Sequence, residues 1–384
     1  MDRNPFAYGR ELAAEELVDR ESELDTILRT IDNRGKLFLI GPRRYGKTSL
    51  LSAAGEIARS RGVVVLRFDA EKYETLELLA RALLTGAARS LHGSLEKVGE
   101  LVRGAAAALK PSLALGEDGA LTVQFGVHPP PGGELPLLAD ALDSIDRLAE
   151  RSGQQVAIVL DEVQQIVVEY GLTAEKQLRA AVQTHRNVAY VFAGSETRLL
   201  SEMTSHPDRP FYRLGARLFL GAVPRGDFLA ALRNGFESGG FSASDDACRH
   251  ILDLAEDVPH NVQRLAYEAW ELCRVTPGTS LTPQGVDEAL DRILRMEDPA
   301  YSQVWNGLTR NQKKTLKAVI ETGGENVQSA AVSRAFGIAT SSVQSALAQL
   351  EDREIVRGEA AAGRVCYRLV DPFLAAWLRL VQDT

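Results

Sequence analysis

Residues 41–48 read Gly-Pro-Arg-Arg-Tyr-Gly-Lys-Thr, two glycines five positions apart with a lysine and a threonine directly behind the second. Glycines let a backbone curl until several N–H groups face one point, and such a nest at the start of a helix attracts anions. A lysine at this place adds a mobile positive charge, and a threonine hydroxyl suits a hard cation. The spacing GxxxxGK[ST] therefore has the chemistry to cradle the phosphates of a nucleoside triphosphate. Gly41, Pro42, Arg43, Arg44, Tyr45, Gly46, Lys47, Thr48 and Ser49 are expected to line ATP, with Lys47 on the β- and γ-phosphates and Thr48 on Mg2+. A metal held in this way also needs a carboxylate from the end of a neighbouring strand. The run Val156-Ala157-Ile158-Val159-Leu160 leads straight into Asp161-Glu162, so Asp161 is expected to hold Mg2+ through water and Glu162 to polarise the attacking water. The pair points to hydrolysis rather than to binding alone. Ser195 follows the next apolar run; its hydroxyl suits a bond to the γ-phosphate or to that water, and equally a cap on the following helix.

These groups need a strand before the glycine turn and a helix after it. Lys36 to Ile40 is a short apolar strand, and Thr48 to Ser60 repeats apolar residues at helical spacing. Ahead of them Leu24, Ile27, Leu28 and Ile31 predict a helix, and behind them Gly62 opens Val63 to Asp69, a β-branched run suited to a parallel sheet buried on both faces. Strand and helix keep alternating through Val156–Leu160, a helix holding Leu178, Ala181 and Val182, and Val188–Ala193. The fold class that follows is α/β, a P-loop core with a parallel sheet. Residues 75–150 elaborate it: an alanine-rich helical stretch from Thr75 to Leu109, a hairpin over Ser112 to Val127 around Gly116–Gly119, a Pro/Gly breaker at 129–133, and a helix over Leu137 to Ser152.

Strands are expected to stop after Leu220. Helical patterns cover Arg225 to Gly239, Ser244 to Glu256, Asn261 to Arg274 and Thr282 to Arg295. Three short helices follow, Gln312 to Glu321, Ser329 to Phe336 and Ser341 to Glu354, with Gly337-Ile338-Ala339 as the turn between the last two. The β-prone segments Ile355–Arg357 and Arg364–Val370 flank a small-residue tip, which completes a winged helix-turn-helix. The expected division is 1–219 for the P-loop domain, 220–299 for an all-helical domain and 300–384 for the winged helix with its final helix over Asp371 to Leu380.

With 384 residues, 45% hydrophobic and 25% charged, the chain has the composition of a folded protein of two or three domains. A net charge of -8 excludes a surface that coats nucleic acid wholesale, so any DNA contact must be local. Cys248, Cys273 and Cys366 form no CxxC pair, which implies a reduced compartment. The start carries no basic stretch ahead of an apolar run, and no segment reaches the length of a membrane span. Cytoplasmic residence and no membrane partner are the expectation.

The sequence also resembles the archaeal-type ATPases of the STAND branch, relatives of the AAA+ proteins found in archaea and bacteria. The resemblance rests on Asn4-Pro5-Phe6, Val18-Asp19-Arg20-Glu21, GPRRYGKTSLL at 41–51, VLDEVQQI at 159–166, VFAGSE at 191–196, RPFYRLG at 209–215, VPHNVQRLAYEAW at 258–270 and DPFLAAWLR at 371–379. It implies that the segment around Val18 and Arg20 borders the adenine, that Arg209 or Arg213 approaches the γ-phosphate, and that the helical domain is a lid whose Pro259 senses nucleotide. Structural ion pairs are the alternative for all three arginines. Two departures stand out: Asp257 replaces the family's usual glycine two residues before Pro259, and Val163 replaces an aromatic behind Asp161-Glu162, while Gln164 keeps the expected amide.

The presumed recognition helix offers Thr340, Ser341, Ser342, Gln344, Ser345 and Gln349 and no basic residue. Lys313, Lys314 and Lys317 lie on the first helix and Arg357 and Arg364 beside the wing, among Glu351, Asp352, Glu354 and Glu359. Since phosphate neutralisation supplies most DNA affinity, double-stranded DNA and a protein partner are both open for this module. The leading expectation is an ATP-hydrolysing switch whose nucleotide state moves a lid and a winged helix. The alternatives are an ATP-regulated DNA-binding regulator or replication-type loader, and a STAND-like scaffold that assembles on a trigger, each consistent with a nucleotide-dependent homo-oligomer.

Overall fold

The computed structural model describes residues 4–90, 111–115, 121–125, 135–195, 198–275, 280–361 and 364–382. Its chain forms two units, Glu11–Gly221 on the one hand and Met1–Arg10 with Ala222–Thr384 on the other.

In the first unit the apolar runs become strands of one sheet. Its elements are α1 (Glu21–Asp32), β1 (Lys36–Gly41), α2 (Lys47–Ser60), β2 (Val64–Asp69), α3 (Leu76–Ser90), β3 (Pro111–Leu115), β4 (Leu121–Phe125), α4 (Leu135–Ser152), β5 (Val156–Asp161), α5 (Gln164–Thr184), β6 (Val188–Ser195), α6 (Arg198–Ser205) and β7 (Ala216–Phe219). The sheet has the order β2-β5-β6-β1-β7 with every neighbour parallel. Strands β5 and β6 are buried along their whole length, which is why their sequences are apolar without alternation. On one face Phe38, Phe192 and Phe211 gather with ring centroids 5.1 to 5.7 Å apart, anchoring the segment behind α6 to the sheet. The P-loop α/β fold is as expected, but β7 was not foreseen: it extends the sheet past Arg213 as an edge strand, and its residues are mostly exposed, so no apolar run announces it. Strands β3 and β4 pair antiparallel, as a hairpin requires. The hairpin's glycine tip, the helical stretch beyond Ser90 and the breaker at 129–133 lie outside the described residues.

The second unit holds α7 (Arg225–Ser238), α8 (Asp245–Leu254), α9 (Pro259–Val275), α10 (Pro283–Asn306), α11 (Arg310–Glu321), α12 (Ala330–Phe336), α13 (Thr340–Asp352), β8 (Val356–Ala361), β9 (Arg364–Leu369) and α14 (Pro372–Gln382). The N-terminal stretch packs here: Phe6 is buried against Phe236, and Asn4 donates to the Tyr267 carbonyl. Thr309 and Gln312 form a capping box at the start of α11, and Gly337 takes the left-handed conformation (φ 58) that turns α12 into α13. With the antiparallel pair β8–β9 this is a winged helix-turn-helix. Among the described residues, no helix is long and apolar enough to cross a membrane.

Helix α10 runs without interruption through position 299, where the sequence suggested a boundary, and it contains Pro299. Around that proline the helical segment and the winged helix are tied together. Asp371 accepts hydrogen bonds from Asn261 Nδ2 on α9 (2.9 Å) and from the Tyr301 hydroxyl on α10 (3.1 Å), and the Trp377 indole donates to Asp298 (2.9 Å). Removing one carboxylate strands two donors and a helix cap, so Asp371→Ala is expected to cost about 1–3 kcal/mol. The urea midpoint of the second unit's transition should fall, with Asp371→Asn falling less.

Candidate active site

Strand β1 ends at Gly41 and α2 opens at Lys47, so the five residues between them must turn the chain through the phosphate loop. Arg44 (φ 69) and Gly46 (φ 88) take left-handed conformations; at Gly46, the N-cap of α2, a side chain would be strained. Lys47 is buried, and its ammonium donates to the carbonyls of Gly41 (2.8 Å) and Pro42 (3.1 Å), which holds it across the loop. Thr48 is exposed in the first turn of α2. Ser49 is buried, and its hydroxyl accepts from the Leu12 amide at 3.1 Å, so it fastens the N-terminal segment to the loop helix. Arg43 is exposed, Pro42 and Arg44 are half-buried and Tyr45 is buried.

Asp161 lies at the buried C-terminal end of β5, its Oδ1 accepting from the Glu162 amide at 3.2 Å. Burial, with the Glu162 charge, raises the Asp161 pKa above the ordinary carboxylate value against the pull of Arg67 and Lys47. Glu162 has a φ of 49, a left-handed conformation uncommon for a residue with a long side chain. That turn carries its carboxylate to the end of β6. There Oε1 accepts from the Ser195 hydroxyl (3.0 Å), and Oε2 accepts from the Ser195 amide (3.1 Å) and from the Gln164 side chain. The Ser195 hydroxyl thereby orients Glu162. Gly194 makes room for this arrangement, since a Cβ there would stand 2.2 Å from Gln164 Oε1. Val163 is fully buried, its amide on the Ala193 carbonyl, so this position packs against the core.

Three of the expected arginines have structural partners or a distinct setting. Arg20 is buried, paired with Glu23 at 2.9 Å and donating to the Gly221 carbonyl at 2.7 Å, while Val18 is half-buried. Arg209 is paired with Glu175 of α5, a carboxylate with no exposed surface whose pKa is raised by burial. The other Glu175 oxygen takes the Phe211 amide, and Arg179 donates to the Pro210 and Tyr212 carbonyls. The helix behind Asp161-Glu162 thus clamps the Arg-Pro-Phe-Tyr-Arg turn. Arg213 is exposed beyond that clamp, in a left-handed conformation (φ 56), with its guanidinium 5.0 Å from the centre of the Tyr212 ring.

In the second unit Pro259 begins α9, half-buried, after a turn in which Glu256 (φ 47) and Asp257 (φ 56) are both left-handed. Asp257 therefore adopts the backbone conformation that a glycine would supply, held by the Arg225 guanidinium at 2.9 Å.

Sequence reasoning missed Arg67 and Glu11. Arg67 of β2 donates to Glu11 at 3.0 Å and lies 3.7 Å from Asp161. The available signal was a cation inside the otherwise apolar run Val63–Phe68. Glu175 and Arg179 were missed as well, because nothing local marks a carboxylate on one helix as the partner of an arginine more than thirty positions on.

Residues 17–206 match the family described as an ATPase domain predominantly from Archaea, and residues 299–380 match one described as a "probable winged helix domain". The fold is similar to that of a Walker-type ATPase of Pyrococcus abyssi, with 17% identity and a TM-score of 0.64 over 98% of this chain and 99% of that one. It is similar also to the ORC2 protein of Aeropyrum pernix in ADPNP–ADP complexes (16% identity, TM-score 0.58, 100% and 97% covered). The ORC1 protein of the same organism in complex with DNA gives 16% identity and a TM-score of 0.50 over 96% and 93%. At such identities the likeness is one of fold. Comparison with curated proteins finds no match. Residues 17–206 thus form an ATPase domain of the predominantly archaeal family, and residues 299–380 add a winged helix domain behind it.

Proposed function

We propose that this ATPase is a Mg2+-dependent switch whose nucleotide state is passed through the helical segment and the winged helix to a protein partner. The observation that carries the reading is the carboxylate of Glu162, fixed by Ser195 and Gln164 at the strand ends beside Asp161. A base oriented in this way serves turnover rather than storage of nucleotide. Thr48 and Asp161 supply the hard oxygen donors that suit Mg2+, and the ion, when bound, would neutralise charge on the β- and γ-phosphates. Lys47 and the loop amides orient the phosphates, and Glu162 takes a proton from the attacking water at its carboxylate. Arg213 is a better candidate than Arg209 for approaching the developing charge, since Arg209 is committed to a buried carboxylate. Val18 and Arg20 are the adenine-side candidates and Pro259 the nucleotide sensor.

A protein partner is favoured over duplex DNA by the charges of the wing. Arg357 is paired with Glu359 at 2.7 Å, and Arg368 lies 3.9 Å from the same glutamate and 3.8 Å from Glu256. Lys313 and Lys317 lie over the Trp305 ring, and Lys314 donates to the Gly337 carbonyl. Among the described residues, Arg357 and Arg368 of the wing are thus already met by carboxylates, which weakens their pull on a phosphate backbone.

The test is a mass measurement of the wild type and of Glu162→Gln, each with ADP and with Mg-ATP, followed by anisotropy with a labelled duplex at low ionic strength. A switch predicts one mass throughout and an ATP-dependent change in hydrodynamic radius. An ATP-dependent oligomer would replace it with an assembly, and salt-sensitive duplex binding with the DNA reading.

A further inference from the structure

Strands β2 and β5 are parallel neighbours with Asp69 opposite Asp161 and Arg67 opposite Val159, so the Arg67 guanidinium rises beside the end of β5. Its two terminal nitrogens face different acids. Nη1 donates to Glu11 at 3.0 Å, a hydrogen bond, whereas Nη2 stands 3.7 Å from Asp161 Oδ2, beyond hydrogen-bond length but within full electrostatic reach. Arg67 is one-fifth exposed and the Asp161 carboxyl less than one-tenth. Glu11 is itself held: burial would raise its pKa, but hydrogen bonds from Ser52 and Arg67 and the Arg67 charge outweigh that and lower it.

A carboxylate as buried as Asp161, with Glu162 next in sequence, needs a positive charge close by whenever no metal is present. A divalent ion arriving at Asp161 would meet that same positive charge as a competitor. Glu11 decides how strongly Arg67 competes, because it already holds the other terminal nitrogen of the same guanidinium. We propose that Arg67 is a positioning residue for the metal: shared between Asp161 and Glu11, it neutralises Asp161 in the metal-free protein and is left to Glu11 alone when Mg2+ binds, so that the Glu11–Arg67 pair sets the Mg2+ concentration the site requires. The proposal rests on the reading of Asp161 as the carboxylate that takes the ion.

The pair gives opposite signs for its two halves, which a packing defect does not. In the full-length protein, binding of a fluorescent non-hydrolysable ATP analogue is followed while MgCl2 is titrated. Arg67→Gln removes the competitor and is expected to lower the half-saturating Mg2+ concentration at least threefold. Glu11→Gln frees Arg67 to close on Asp161 and is expected to raise it at least threefold. Arg67→Lys, which keeps the charge, should stay near the wild type. Shifts of the same sign in Arg67→Gln and Glu11→Gln, the absence of either shift, or an Arg67→Lys variant behaving like Arg67→Gln would overturn the proposal. Should Arg67→Gln fail to fold, the sign for Glu11→Gln decides alone. Asp161→Asn separates the two layers: if it leaves the Mg2+ requirement at the wild-type value, the assignment of Asp161 has failed. If it abolishes the requirement and Arg67→Gln shifts nothing, only the role of Arg67 has.

Discussion

Glu162→Gln is expected to lower kcat by about 10²–10³-fold with ATP affinity kept within about threefold. The substitution keeps the shape of the side chain and an oxygen that can accept from the Ser195 hydroxyl, but it removes the charge and turns one acceptor into a donor. That donor would face the Ser195 amide and the Gln164 side chain, both of which donate to Oε2 of the native carboxylate. The loss should therefore fall on the chemical step, which needs a lone pair and a charge, and not on the phosphate loop. Single-turnover release of phosphate, measured beside equilibrium binding of the nucleotide, separates the two. A variant that turns over at the wild-type rate would remove Glu162 from the mechanism.

Lys47→Ala is expected to weaken nucleotide binding by about 10- to 100-fold, the range set by one charge-assisted hydrogen bond to a phosphate. The structure supplies a reason for the upper part of that range. The ammonium already lies across the loop on the carbonyls of Gly41 and Pro42, so little side-chain freedom is lost when phosphates arrive. Its removal also takes a donor from two loop carbonyls. A titration with a fluorescent nucleotide reads the affinity directly, and the rise in Tm that nucleotide gives the wild type should be mostly lost. Unchanged affinity would mean that the loop from Gly41 to Thr48 does not hold the triphosphate in the way its sequence indicates.

The parts of this protein that could be read from sequence are those whose causes are local. The glycine turn, the apolar strand before it and the helix behind it all lie within residues 36–60, and the all-apolar β5 announces both its burial and the acids at its end. Non-local pairing was not readable. Strand β7 is a mostly exposed edge strand held by β1, more than 170 positions earlier in the chain, and has little hydrophobic pattern of its own. The same holds for Arg209 with Glu175 and for Arg67 with Asp161, where the fold, not the spacing, brings the charges together. The apolar pattern supports a helix only to Arg295, whereas α10 continues through Pro299 to Asn306, with tertiary hydrogen bonds on either side of the proline to offset its helix-breaking tendency.

Helix α10 is 24 residues long, roughly 36 Å of rod at the usual rise per residue. A rod is only as stiff as its weakest turn, and here that turn is the one at Pro299, where the ring removes a backbone donor. Asp298 and Tyr301 stand on either side of it and both are fastened to the segment that begins at Asp371, which works as a splint laid across a fracture. With the splint in place, a tilt of about 10° at the start of the rod moves its far end by about 6 Å, a swing set by its length alone. Without it the same tilt would be absorbed as a bend at the proline. The last helix of the chain thus converts a hinge into a lever arm.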